Sequence, residues 1–67
     1  MLKPFIVHRL YKQGRRVRLI YMHDEKLSPN LLGTILHVDD VGTIHVAWDN
    51  GATLGLIQDK DLFELVE

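Results

Sequence analysis

The chain has 67 residues, of which 46% are hydrophobic and 25% charged, with a formal net charge of −1. A chain this short buries only roughly 60% of its unfolded surface, so it forms one thin-cored domain and has no room for a cleft walled by separate lobes. It contains no cysteine, which excludes a disulfide framework, a thiolate zinc site and a cysteine nucleophile. No apolar run approaches the roughly 18 residues of a membrane span. Lys3, His8 and Arg9 interrupt the only apolar stretch near the N-terminus, which does not read as a signal peptide. The expectation is a soluble, cytoplasmic protein.

The charge is unevenly spread. Residues 1–20 carry Lys3, Arg9, Lys12, Arg15, Arg16 and Arg18 without a single acid. The remaining residues carry only Lys26 and Lys60 against nine acids. Such polarity either steers a charged partner or is neutralised internally once the two parts fold together.

In chain order, residues 4–12 suit a short helix with Pro4 in its first turn and Ile6/Leu10 and Val7/Tyr11 spaced by four. The Phe5-Ile6-Val7 run also suits a strand, so residues 1–13 read as an arm or short helix ahead of a β domain over 14–67. Gln13-Gly14 ends that segment. Arg15 to Tyr21 alternates, with Val17, Leu19 and Tyr21 on one side and Arg16 and Arg18 on the other, as in a half-buried strand. Residues 22–32 form a long polar excursion around Ser28-Pro29-Asn30. Four further strands are expected at 34–38, 43–48, 52–57 and 62–66.

Turn chemistry fixes two registers. A type I turn with Gly51 as a left-handed bulge residue pairs Trp48 with Ala52, Val46 with Leu54 and Ile44 with Leu56, and gathers the apolar set on one face. A plain two-residue turn at Asn50-Gly51 would scatter it. The same reasoning pairs Val38 with Ile44 and Leu36 with Val46. The expected core face is then Leu36, Val38, Ile44, Val46, Trp48, Ala52, Leu54 and Leu56. Ile35 and Ile57 fall outside it, which points to a bulge or to a second layer. Five short strands with a long first connection suggest a mainly β fold, a small five-stranded SH3-like barrel whose closure removes exposed sheet edges.

A family resemblance follows from particular strings. Arg16-Val17-Arg18-Leu19-Ile20-Tyr21-Met22-His23-Asp24, Gly33-Thr34 and Val38-Asp39-Asp40-Val41-Gly42-Thr43-Ile44-His45-Val46 carry it. So do Trp48-Asp49-Asn50-Gly51, Leu54-Gly55-Leu56-Ile57 and Asp61-Leu62-Phe63-Glu64. From about residue 14 onward the chain resembles the small bacterial and phage proteins grouped as domain of unknown function 4314. The resemblance implies an SH3-like barrel and a setting in phages and mobile elements, but no activity. The chain departs from the family pattern in its less proline-rich loop at 25–32 and its shorter helical lead-in. Trp48-Asp49-Asn50-Gly51 is also similar to other SH3-like modules that bind peptides or proteins.

Few residues suggest chemistry. Trp48 fits a core position beside a turn made by Asp49, Asn50 and Gly51. Its alternative role is in an aromatic groove with Tyr21, where His23, Asp24, Asp49 and Asn50 would complete a partner-binding surface. His37 and His45 are opposed across two strands, close enough to share a metal, yet no third ligand stands near them and catalytic zinc needs about three. No metal or other cofactor is therefore expected. Asp39 and Asp40 suit a turn. Ser28, the only serine, precedes Pro29 and has no partnered base. No phosphate-cradling glycine loop is present.

The resulting expectation is a non-catalytic module that docks a protein partner as an accessory factor of a phage or mobile element, with interference in a host process such as defence as one task. Nucleic-acid binding through Lys12, Arg15, Arg16 and Arg18 is the alternative, set against a sequence pI of about 6.4. Self-association through Phe5, Ile6, Val7 and Leu10 is a third.

Overall fold

The computed structural model describes residues 3–24 and 26–66. Met1, Leu2, Glu25 and Glu67, which fall in the expected arm, the long loop and the C-terminus, lie outside them. A helix, α1 (Pro4–Leu10), precedes five strands: β1 (Arg16–Tyr21), β2 (Leu32–Val38), β3 (Ile44–Trp48), β4 (Thr53–Leu56) and β5 (Leu62–Val66). All pair antiparallel in one sheet of order β4-β3-β2-β1-β5. The mainly β class, the five strands and the short helix therefore match expectation. Closure does not: no ladder joins β4 to β5 among the described residues, so the sheet is barrel-like only in its order and curl.

Of the two readings of the N-terminus, the helix is correct. Pro4 starts it without wasting a backbone donor, and the Tyr11 N–H closes it on the Val7 carbonyl. The helix packs against β2, and Val7 is completely buried in the same core as the strands. Tyr11 adds an edge-to-face contact with Phe63, ring centroids 5.5 Å apart. Phe5 and Leu10 remain exposed, whereas Val7 is committed to the core and unavailable for association.

The β3–β4 hairpin has the register that turn chemistry dictated, Ile44 opposite Leu56 and Val46 opposite Leu54. Gly51 adopts φ +92°, and the Trp48 N–H reaches the Ala52 carbonyl at 2.8 Å. A side chain at that φ would be strained, which is why glycine stands there. In the β2–β3 hairpin Val38 faces Ile44 and His37 faces His45, again as expected.

The next pair is a correction. Ile35, not Leu36, stands opposite Val46, because the register shifts between Ile35 and His37. A bulge reverses the inside-outside alternation, so Ile35 is 1% exposed and Leu36 40%. The same event recurs in β1. A shift between Leu19 and Tyr21 turns Tyr21 outward and sends Met22 into the core. Val17 and Leu19 keep their expected inward places.

The core thus comprises Val7 from the helix, Val17 and Leu19 from β1, Ile35 and Val38 from β2, Ile44, Val46 and Trp48 from β3, and Leu56 from β4, with Met22 and Leu27 contributed by the long loop. Gly33 is required for this packing. A Cβ there would lie 2.5 Å from Val46 Cγ1 and 2.8 Å from Trp48 Cε3.

Candidate functional site

The long connection between β1 and β2 is ordered by its own residues. At its base the Leu19 N–H donates to the Leu31 carbonyl (2.9 Å) and the Asn30 N–H to the Leu19 carbonyl (2.7 Å), with Asn30 at φ +72°. Asparagine tolerates that left-handed conformation better than most side chains. Met22 and Leu27 anchor the two limbs of the loop in the core. Between β4 and β5 a single tight turn is closed by the Lys60 and Asp61 N–H groups, both donating to the Ile57 carbonyl.

Asp61 ties these segments together. Its Oδ1 accepts the His23 N–H at 2.9 Å and its Oδ2 the Ile57 N–H at 2.8 Å. The residue is 6% exposed, the only buried charged side chain among the described residues. A buried carboxylate is tolerated when both oxygens are matched by donors, as here. The clamp walls a recess of about 110 Å³. Met22, Leu54 and Ile57 supply apolar surface to it, and His23, Asp24, Lys26 and Lys60 supply polar groups. A second recess, of about 220 Å³, shares Met22 with the first and is also lined by Tyr21, Leu27, Ser28 and Pro29.

Of the six residues expected to form a partner surface, three meet here: His23 and Asp24 at the first recess, Tyr21 at the second. The other three do not. Trp48 is 3% exposed, and its indole N–H donates to the Leu54 carbonyl at 3.1 Å. It lies opposite Gly33, which pairs with Val17, four positions along β1 from Tyr21. At about 3.3 Å per residue the two aromatics are too far apart to make one groove. The aromatic-groove role of Trp48 is thereby corrected to a core role. Asn50 Oδ1 accepts the Ala52 N–H, a turn function, and Asp49 is engaged by Arg16.

The basic residues are largely answered within the fold. Arg16 grips Asp49 with two nitrogens at 2.9 and 2.6 Å and also donates to Thr34 Oγ1. This pairing pushes the Asp49 carboxyl below its usual range and raises the Arg16 guanidinium, in both cases chiefly through the hydrogen bonds between them. Arg18 holds Glu64 Oε2 through two nitrogens, at 3.0 and 2.7 Å. The charge split read from the sequence is thus neutralised across the sheet at these two points. Lys12 is exposed beyond the helix, and Arg15 is half-buried just before β1.

His37 and His45 stack with ring centroids 4.3 Å apart and planes within 10°. Parallel rings do not aim their nitrogens at a shared point, and His45 Nε2 already contacts Asp39 Oδ2 at 2.9 Å. Among the described residues no group of three or more His, Cys, Asp or Glu side chains could hold a metal ion. Asp39 has the turn role assigned to it: Oδ1 accepts the Val41 and Thr43 N–H groups. Its carboxyl is held below the usual range, mostly by the His45 hydrogen bond and next by that from Thr43.

Asp61 is the residue that sequence reasoning missed. In Gln58-Asp59-Lys60-Asp61 it looks like any turn acid, and its partner His23 is 38 positions away. The one available signal is its place directly before the apolar start of β5.

No helix of the described residues is long and apolar enough to cross a membrane. No curated protein and no solved structure matches the chain. The family model for the domain of unknown function DUF4314 matches residues 5–66, taking in the helix from its second residue, all five strands and both clamped segments. The chain belongs to the DUF4314 domain family.

Proposed function

We propose that this protein is a non-catalytic binding module that docks a protein partner on the face made by residues 22–24, 26 and 27, the end of β4 and the turn at 57–61. The observation that carries the reading is the Asp61 clamp. A small fold spends a buried carboxylate on fixing two loops around an apolar-floored recess, which preorganises a surface and lowers the ordering cost of association. Exposed Ile57 lines it, and exposed Tyr21 lines the second recess, which shares Met22 with it. Outside the recess Asp39, Asp49 and Glu64 are occupied by turn closure and ion pairs rather than poised as a base. Nucleic-acid binding is the less supported reading, because Arg16 and Arg18 are already answered by Asp49 and Glu64. The family resemblance fits an accessory role in a phage or mobile element, with interference in a host defence process as a fitting task.

Photo-crosslinking in the cells that carry the protein tests this. A benzophenone side chain at Ile57 should yield one discrete protein adduct, and the same group at Leu36, on the bulge of β2, should not. Adducts from both positions alike, or adducts to nucleic acid alone, would overturn the reading.

A further inference from the structure

Resting on the docking face just proposed, a second feature specifies what it takes. Residues 21–67 contain only two basic side chains, Lys26 and Lys60, against nine acids. They arrive from different loops, 34 positions apart, yet both line the same recess. Each is exposed, and neither side chain forms an ion pair or hydrogen bond among the described residues. Arg16 and Arg18, by contrast, are both paired.

Among the described residues that line the recess, the exposed lysines outnumber the exposed acids. Both Asp61 oxygens are occupied by backbone N–H groups, and the side chain is buried. Asp24 is exposed at the rim, one carboxylate against two ammonium groups. Beneath this rim lies apolar surface from Met22, Leu54 and Ile57. The space of about 110 Å³ gives room for the end of one aliphatic side chain.

We infer that the recess binds an acidic linear segment of a protein partner, seating one aliphatic side chain on Met22, Leu54 and Ile57 while flanking carboxylates meet Lys26 and Lys60. The lysines steer the segment and set its charge preference; the apolar floor selects the anchor. Because the rim is solvent-exposed, the charge contribution is modest and falls with salt.

The test is a titration of the 15N-labelled full chain with a blocked heptapeptide carrying one leucine among aspartates and glutamates, at low salt. Controls replace the leucine by serine or the acids by lysines, and an oligothymidylate serves as a polyanion without an apolar anchor. The amides of residues 22–24, 26, 54–57 and 60–61 should shift saturably with the acidic leucine peptide. K26E/K60E, which loses no side-chain bond and should stay folded by circular dichroism, should bind at least tenfold more weakly. The serine control should lose a comparable factor. Equal binding of the lysine-flanked peptide, undiminished binding by K26E/K60E, oligothymidylate binding as tight as the peptide, or no saturable shift up to millimolar peptide would each overturn the inference. A single protein adduct from Ile57 whose contact segment is basic would also overturn it while leaving the docking face intact; lack of any adduct would remove the docking face itself.

Discussion

Replacing Asp61 by alanine removes the acceptor for two backbone donors, the N–H groups of His23 and Ile57, at 2.9 and 2.8 Å. Hydrogen bonds to a charged group are worth roughly 1.5–3 kcal/mol each. The segment around His23 can open to water, which holds the loss near the lower end, about 3 kcal/mol for the two. A chain of this length has roughly 3–10 kcal/mol of total stability at 0.05–0.15 kcal/mol per residue. The substitution therefore consumes a large part of it, and the melting temperature should fall by about 12–24 °C. Asp61→Asn keeps one acceptor oxygen and should fall between the parent and D61A. Asp59→Ala, an exposed acid in the same turn, should change stability by no more than about 0.5 kcal/mol. Thermal melts followed by circular dichroism give the shifts, and amide hydrogen exchange reads the clamp itself. Exchange at His23 and Ile57 should accelerate in D61A more than at Val46 in the central strand. A D61A melt within 2 °C of the D59A melt, or undiminished protection at both amides, would refute the clamp.

Other expectations are simpler to check. Gly33→Ala forces a Cβ into Val46 and Trp48, both packed core side chains, and should cost about 1–3 kcal/mol in a denaturant titration, as overpacked cores do. Trp48→Ala should cost about 3–5 kcal/mol and leave the chain barely folded by near-ultraviolet circular dichroism, whereas Trp48→Phe, which chiefly loses the bond to the Leu54 carbonyl, should remain folded. Asp39 and Asp49 have folded-state values depressed below the ordinary carboxylate, so the unfolded chain takes up protons first as the pH falls. Their contribution is fully present above about pH 4 and is lost as acid protonates them in the folded state. The melting temperature should thus drop below about pH 4, and D39N/D49N should flatten that drop.

How much of the fold the sequence reveals depends on where period and turn agree. Asn50-Gly51 and the alternation of Ile44, Val46 and Trp48 specify one register, because any slip would expose an apolar face. The bulges are marked less well: Ile35 standing outside the expected core face hints at the one in β2 without placing it. Ile35 and Leu36 are both aliphatic and adjacent, so nothing local says which turns inward; the choice is made by Val46 across the ladder. Tyr21 and Met22 pose the same problem at the end of β1. The recess was half legible, since His23 and Asp24 lie in an obviously long loop. Its other half comes from Ile57 and Lys60, brought near by a buried carboxylate whose partners only the folded chain supplies. The paired arginines make the opposite point: a basic run in the sequence turns into two ion pairs once acids from β5 and the β3–β4 turn stand beside it.

The most direct measurement is an amide chemical-shift map of the 15N-labelled chain with the partner recovered by crosslinking from Ile57. The docking face predicts that the perturbed amides cluster at residues 22–24, 26, 27, 54–57 and 60–61, and that Arg16, Arg18 and the helix Pro4–Leu10 stay quiet. Perturbations centred on residues 12–18 or on the helix, with the recess unchanged, would contradict it.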